Sequence, residues 1–121
     1  TIGAFNMHNL EMLPDMIRAA KEMGAPIIIQ TSVDTAKYIG YNVIVAVVEE
    51  LANSMIVDVA LHLDHAKDFD AIKDAIEAGY SSVMFDGSSL PFKENIFSFF
   101  PHILHKTFRR SIILIMNFCI F

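Results

Sequence analysis

Residues 57–65 read Val57-Asp58-Val59-Ala60-Leu61-His62-Leu63-Asp64-His65, an apolar, strand-like run that ends in an acid and an imidazole side by side. A run of this kind suits a strand of a parallel sheet. Such a strand delivers its last side chains to the carboxyl edge of the sheet, where α/β enzymes assemble their sites. An Asp–His pair at that edge has the chemistry of a proton-transfer group beside a metal ligand. The competing local use is a helix-capping Asp followed by a surface His. By strand alternation His62 shares the side of Asp64, and His65 falls on the opposite side if the strand continues. His62 is read as a packing residue of the sheet interior, with support of the site as the alternative.

Strand and helix signals alternate on both sides of this run. Residues 1–7 form a first strand. Asn9 is a plausible N-cap for a helix that buries Leu13, Ile17, Ala20 and Met23 and stops at Gly24 and Pro26. Residues 26–30 are a β-branched second strand with Thr31 and Ser32 at its end. A second helix covers residues 39–55, with Val43, Val47 and Leu51 on one face. The third strand covers 57–63. A third helix runs from Asp68 or Phe69 to Ala78, with Ile72, Ala75 and Ile76 inward and Gly79 as its stop. The fourth strand, residues 80–85, ends at Asp86-Gly87-Ser88-Ser89. Repeated βα units predict a parallel sheet, either open and doubly wound or part of an eight-fold barrel. A barrel takes roughly 250 residues, so four units amount to about half of one.

Composition divides the chain in two. Hydrophobic residues make up 54% of the 121, which excludes a disordered tail, and Cys119 is the single cysteine, which excludes a disulfide framework and a multi-cysteine zinc site. The overall charge of −5 argues against nucleic acid as a partner. All 14 acids lie at or before Glu94; residues 1–95 carry a net −8, whereas residues 96–121 hold Lys106, Arg109 and Arg110, no acid, and six of the ten Phe. The domain is expected to span residues 1–96, followed by an unrelated hydrophobic and basic tail over 97–121, such as shifted-frame or intron read-through sequence. The apolar run of residues 111–121 is too short for a membrane span of roughly 20 residues, and no membrane partner is expected. No signal-peptide pattern precedes Thr1, and the start reads as a cut edge. A reducing, cytoplasmic setting fits the cysteine usage.

Four polar endings share one position in the pattern. Asn6, Ser32, the Asp64–His65 pair and Asp86 each fall where a strand runs into its βα loop, and on a parallel barrel those loops share one face. Each also has an ordinary use as a turn residue. Gly87 permits close approach to a ligand. The chain has no Walker or dinucleotide-type glycine loop and no Gly-x-Ser-x-Gly elbow.

The segments Gly3-Ala4-Phe5-Asn6, Pro26-Ile27-Ile28-Ile29-Gln30-Thr31-Ser32, Ala60-Leu61-His62-Leu63-Asp64-His65, Ser82-Val83-Met84-Phe85-Asp86-Gly87-Ser88 and Leu90-Pro91-Phe92-Lys93-Glu94-Asn95-Ile96 together resemble the class II ketose-bisphosphate aldolases, the fructose- and tagatose-bisphosphate aldolases among them. The resemblance implies the N-terminal half of a (β/α)8 TIM barrel and zinc-dependent, reversible aldol cleavage of a sugar bisphosphate to dihydroxyacetone phosphate and glyceraldehyde 3-phosphate. It implies proton transfer by Asp64, zinc ligation by His65, a second metal position near Asp86, and substrate facing Asn6 and Ser32. The family's other two zinc histidines, a later acidic metal residue and the phosphate-binding loops lie beyond the point where this chain departs from it. His102 and His105 match no family motif and are not assigned. A fragment inactive by itself is therefore expected, with pairing into a homo-oligomer, or with an intact aldolase, as the alternative role.

Overall fold

Parallel pairing follows directly from the alternation of apolar strands and capped helices. The computed structural model describes residues 1–91, 93 and 94, and the backbone of residues 113–116. The elements are β1 (Gly3–Asn6), a short 3-10 turn (Leu10–Met12), α1 (Leu13–Met23), β2 (Ile27–Ser32), α2 (Val33–Ile39), α3 (Tyr41–Met55), β3 (Val59–Ala66), α4 (Phe69–Ala78), β4 (Ser82–Phe85) and β5 (Ile113–Met116). The strands lie side by side in the order β1-β2-β3-β4-β5, and every pair is parallel. A doubly wound sheet reverses its order at a switch point; sequential order is the arrangement of a barrel wall.

Local chemistry sets the boundaries. Asn9 Oδ1 accepts from the Met12 amide at 3.2 Å, and Asp68 Oδ1 accepts from the Ala71 amide at 2.7 Å. Both satisfy amides that a helix start leaves unpaired. Gly24 ends α1 and Gly79 ends α4 in the left-handed region, at φ 58° and 112°.

The helices depart from the sequence expectations in three places. Residues 33–39 form a helix, capped by Ser32, where periodicity indicated none. At seven residues it is too short to show a period. On α3 the expected Val47 and Leu51 are half-buried against the core, but Val43 is exposed and the fully buried residues are Ile44, Val45 and Val48. So apolar a helix offers several stripes, and packing chooses among them. Met23 of α1 is likewise exposed. The backbone of Ile113–Met116 pairs with β4 in register from Ser82↔Ile113 to Phe85↔Met116. A continuous apolar run carries no alternation by which to recognise a strand. Residues 97–101, His102 and His105 lie outside the described residues.

The two faces of the sheet differ. Ile27, Ile29 and Thr31 of β2 and Leu61 and Leu63 of β3 are buried in one core with Leu13 and Ile17 of α1, Ile44 and Val48 of α3, and Ile72 and Ala75 of α4. The one polar side chain of that group, Thr31, shares a 3.0 Å hydrogen bond with the Tyr80 hydroxyl, and the Tyr80 ring meets Tyr41 edge-on at 5.9 Å. Strand alternation puts the intervening residues, Gln30 and Ser32 of β2 and His62 and Asp64 of β3, on the opposite face.

Two outcomes are expected in denaturant unfolding. Tyr80→Phe leaves the buried Thr31 hydroxyl unpaired and lowers stability by about 1–3 kcal/mol. Burial raises the Tyr80 phenol to about 12, so the associated stability is complete below the unfolded value near 10 and is lost as pH rises from there through about 12. Tyr80→Phe removes this alkaline loss. Ile56 ends α3 at φ 57° and is 90% exposed. A β-branched residue is strained there, and Ile56→Gly raises stability by about 1 kcal/mol.

Candidate functional site

The site begins with an irregularity in β3. Its register with β4 runs His62↔Ser82 and Leu63↔Val83, then resumes at Ala66↔Phe85. One extra residue therefore sits in β3 between Leu63 and Ala66, and His65 takes φ 52°. A bulge breaks the strict alternation of side chains and re-aims one of them. His is among the residues that tolerate the left-handed region best, although at a cost. The strand, expected to stop at residue 63, thus continues through Ala66, yet Asp64 and His65 do not go to opposite faces.

Five side chains meet around the bulge. His65 Nδ1 lies 2.9 Å from Asp86 Oδ2, and His65 Nε2 lies 3.8 Å from Asp64 Oδ1. His62 Nε2 approaches the same Asp64 oxygen at 3.9 Å, while His62 Nδ1 is 2.6 Å from Ser82 Oγ. Asp86 follows β4 directly, is buried, and accepts on its other oxygen from the Ser88 amide at 3.1 Å. Hydrogen bonding from Ser88, then from His65, holds its carboxyl down at about 2. Burial lowers the pKa of His62, opposed by the charge of Asp64, which favours a neutral ring.

Of the residues singled out in the sequence, Asp64, His65 and Asp86 form one contiguous group. Asn6 and Ser32 are exposed, and register relates them to it: Asn6 pairs with Gln30 and Gln30 with His62, while Ser32 pairs with Asp64. Asn6, Gln30, His62 and Ser82 thus form a polar row across four strands, one step below the Ser32–Asp64 row. Ser32 also has the ordinary turn role, accepting from the Thr35 amide at 3.2 Å. Gln30 and Ser82 escaped the sequence analysis. Their signal was a polar residue inside an apolar strand at the same parity as His62. Among the described residues no three His, Cys, Asp or Glu are grouped to hold a metal ion, and no helix is long and apolar enough to cross a membrane.

Parallel strands in sequential order, with acids and imidazoles gathered at their carboxyl ends, make this an α/β chain similar in arrangement to part of a (β/α)-barrel. A family profile described as fructose-bisphosphate aldolase class-II matches residues 1–98, and the chain belongs to that family. Over 98 residues it is 48% identical to the fructose-bisphosphate aldolase of Streptococcus pyogenes serotype M3, a match covering 78% of this chain and 33% of the relative. The enzyme of the same name from Staphylococcus aureus strain Mu50 is 41% identical, with 78% and 34% covered. The chain thus spans about a third of the length of these relatives. Among solved structures, the fructose-bisphosphate aldolase of Campylobacter jejuni superposes with a TM-score of 0.72 at 30% identity, covering 81% of this chain and 36% of that one. The YdjI aldolase of Escherichia coli K12 gives 0.70 at 32% identity, with 79% and 38% covered.

The bulge has a measurable signature in stability. His65→Gly and His65→Ala lose the same imidazole, but only glycine is at ease at positive φ. The glycine variant is expected to be the more stable of the two by about 1 kcal/mol in urea unfolding. An alanine variant of equal or greater stability contradicts the backbone assignment.

Proposed function

We propose that this chain supplies the first four βα units of a class II ketose-bisphosphate aldolase, and with them the proton carrier and one zinc ligand of its site. The observation that carries this reading is the His65–Asp86 contact. A metal-binding histidine commonly presents one ring nitrogen to the metal while a carboxylate holds the other. Here Asp86 holds Nδ1, leaving Nε2 turned toward Asp64. The donor set fits one ligand of a zinc site that takes three.

In this role zinc, when bound, polarises the substrate ketone. Asp64, beside the ligand but not turned away from it by strand alternation, would carry the proton: the hydroxyl β to that ketone loses one as the carbon–carbon bond breaks and becomes the aldehyde, and the carbon next to the ketone gains one in the product. Asn6 and Ser32, exposed on the same face, contact the substrate. Asp86 orients His65 and borders the second metal position. The substrate class is a ketose 1,6-bisphosphate, cleaved to dihydroxyacetone phosphate and glyceraldehyde 3-phosphate. Because the described residues bring one zinc ligand of three, we infer that the chain by itself does not turn over. The match to the family ends at residue 98, which supports reading most of the remaining sequence as foreign to it. A genomic region downstream that encodes the other two-thirds of an aldolase, in any frame, is the expected finding; a conserved reading frame with this same tail in relatives contradicts it.

A second reading rests on the edge of β1, which pairs on one side alone among the described residues. All four of its residues are exposed, and Ile2 and Phe5 beside and within it are 53% and 55% exposed. Edges of this kind invite pairing, which suits a non-catalytic module that associates with itself or with an intact aldolase. Sedimentation separates the two: a monodisperse dimer supports the module.

The catalytic assignment is tested in a chimera in which residues 1–98 replace the matching segment of the Streptococcus pyogenes enzyme. Zinc-dependent cleavage of fructose 1,6-bisphosphate is expected, and Asp64→Ala in the chimera is expected to lower kcat by about 10²–10⁴-fold. An active chimera whose rate survives Asp64→Ala overturns the role of Asp64. Clear turnover by the unmodified chain alone overturns its inactivity.

A further inference from the structure

We propose that His62 is a positioning residue for Asp64: its ring adopts the Nε2–H form, braced by the Ser82 hydroxyl, and presents that N–H to the Asp64 carboxylate. The proposal rests on reading Asp64 as the proton carrier, and deepens it. His62 is 3% exposed, so its ring meets mainly protein groups. Nδ1 has a partner, Ser82 Oγ at 2.6 Å. Nε2 faces Asp64 Oδ1 at 3.9 Å, beyond hydrogen-bond length but within strong electrostatic influence in a buried setting.

The choice of tautomer follows from what each neighbour tolerates. A serine hydroxyl rotates to donate or accept, so Ser82 satisfies either form. A carboxylate is acceptor-only. With the proton on Nδ1, a bare nitrogen lone pair would face the Asp64 oxygen. With the proton on Nε2, a donor faces it. Asp64 therefore selects the Nε2–H form, Nδ1 becomes an acceptor, and Ser82 donates. The resulting order, Ser82 to His62 to Asp64, is directional.

Backbone register builds this alignment. His62 and Asp64 stand two residues apart on one face of β3, and Ser82 is the cross-strand partner of His62. The Asp64 oxygen is left between two imidazole nitrogens, His62 Nε2 at 3.9 Å and His65 Nε2 at 3.8 Å. His65 approaches from the exposed side and His62 from the buried side. A neutral donor on the buried side orients the carboxylate without adding a charge to the site.

The full-length chain labelled with 15N-histidine, studied by long-range 1H–15N correlation at neutral pH, tests the proposal. The expected result is a protonated Nε2 and a bare Nδ1 for His62. In Asp64→Ala the Nε2–H share is expected to fall, with the Nδ1–H form appearing as Ser82 turns acceptor. A purely structural His62 bonded to Ser82 would show no response to Asp64. An Nδ1–H tautomer in the unmodified chain overturns the proposal, and this measurement needs no variant to fold. An unchanged tautomer in a folded Asp64→Ala chain overturns it as well. Neither outcome depends on turnover, so failure here is distinct from failure of the chimera assay.

Discussion

A single extra residue in β3 governs the candidate site. In a regular strand Asp64 and His65 would project to opposite faces, one into the sheet's polar face and the other toward the helices. The shift in register between Leu63 and Ala66, with His65 at φ 52°, brings both to the carboxyl rim. The backbone cost of that conformation, of order 1–3 kcal/mol, is the kind of local strain that surrounding structure holds in place at functional sites. Here the surroundings are visible: Asp86 fixes His65, the Asp86 amide pairs with the Ala66 carbonyl at 2.8 Å just beyond the bulge, and Phe69 stacks on Phe85 at 4.8 Å beside it.

Beneath the bulge, regular pairing does the complementary work. Parallel register keeps residues of like parity on one face across the whole sheet. It turns isolated polar residues in separate apolar strands into the row Asn6, Gln30, His62, Ser82. The opposite face carries the apolar residues that meet α1, α3 and α4. The same sheet is thus a core on one side and a polar wall on the other. The two halves of the design depend on each other, because the helices that bury Ile29 and Leu63 also fix the strands from which the polar row projects.

Much of this was legible in the residues. Strand and helix succession, the Asn9 cap, the Gly24 and Gly79 stops, and the gathering of Asp64, His65 and Asp86 all followed from local chemistry and from where strands end. What escaped has physical causes. A helix as short as α2 shows no period, although Ser32 three residues before Thr35 marked its start. The eight-residue strand β3 contains a bulge, and bulges arise from pairing with a neighbour that sequence alone does not reveal. The roles of Gln30 and Ser82 depend on cross-strand register, which is a long-range property. His62 was read as packing material; it is buried, but its partners are polar. Family resemblance named the residues of the site, while the structure supplied the reason that neighbours in sequence are also neighbours at the rim.

The most direct measurement of the central claim is the backbone angle of His65 in solution. Positive φ brings an amide proton close to its own α-proton. The account predicts a strong intraresidue amide-to-α NOE for His65, well above those of Leu61 and Leu63 in the same strand. A weak NOE, typical of extended backbone, would place His65 in regular alternation, turn its imidazole from Asp64, and contradict the account.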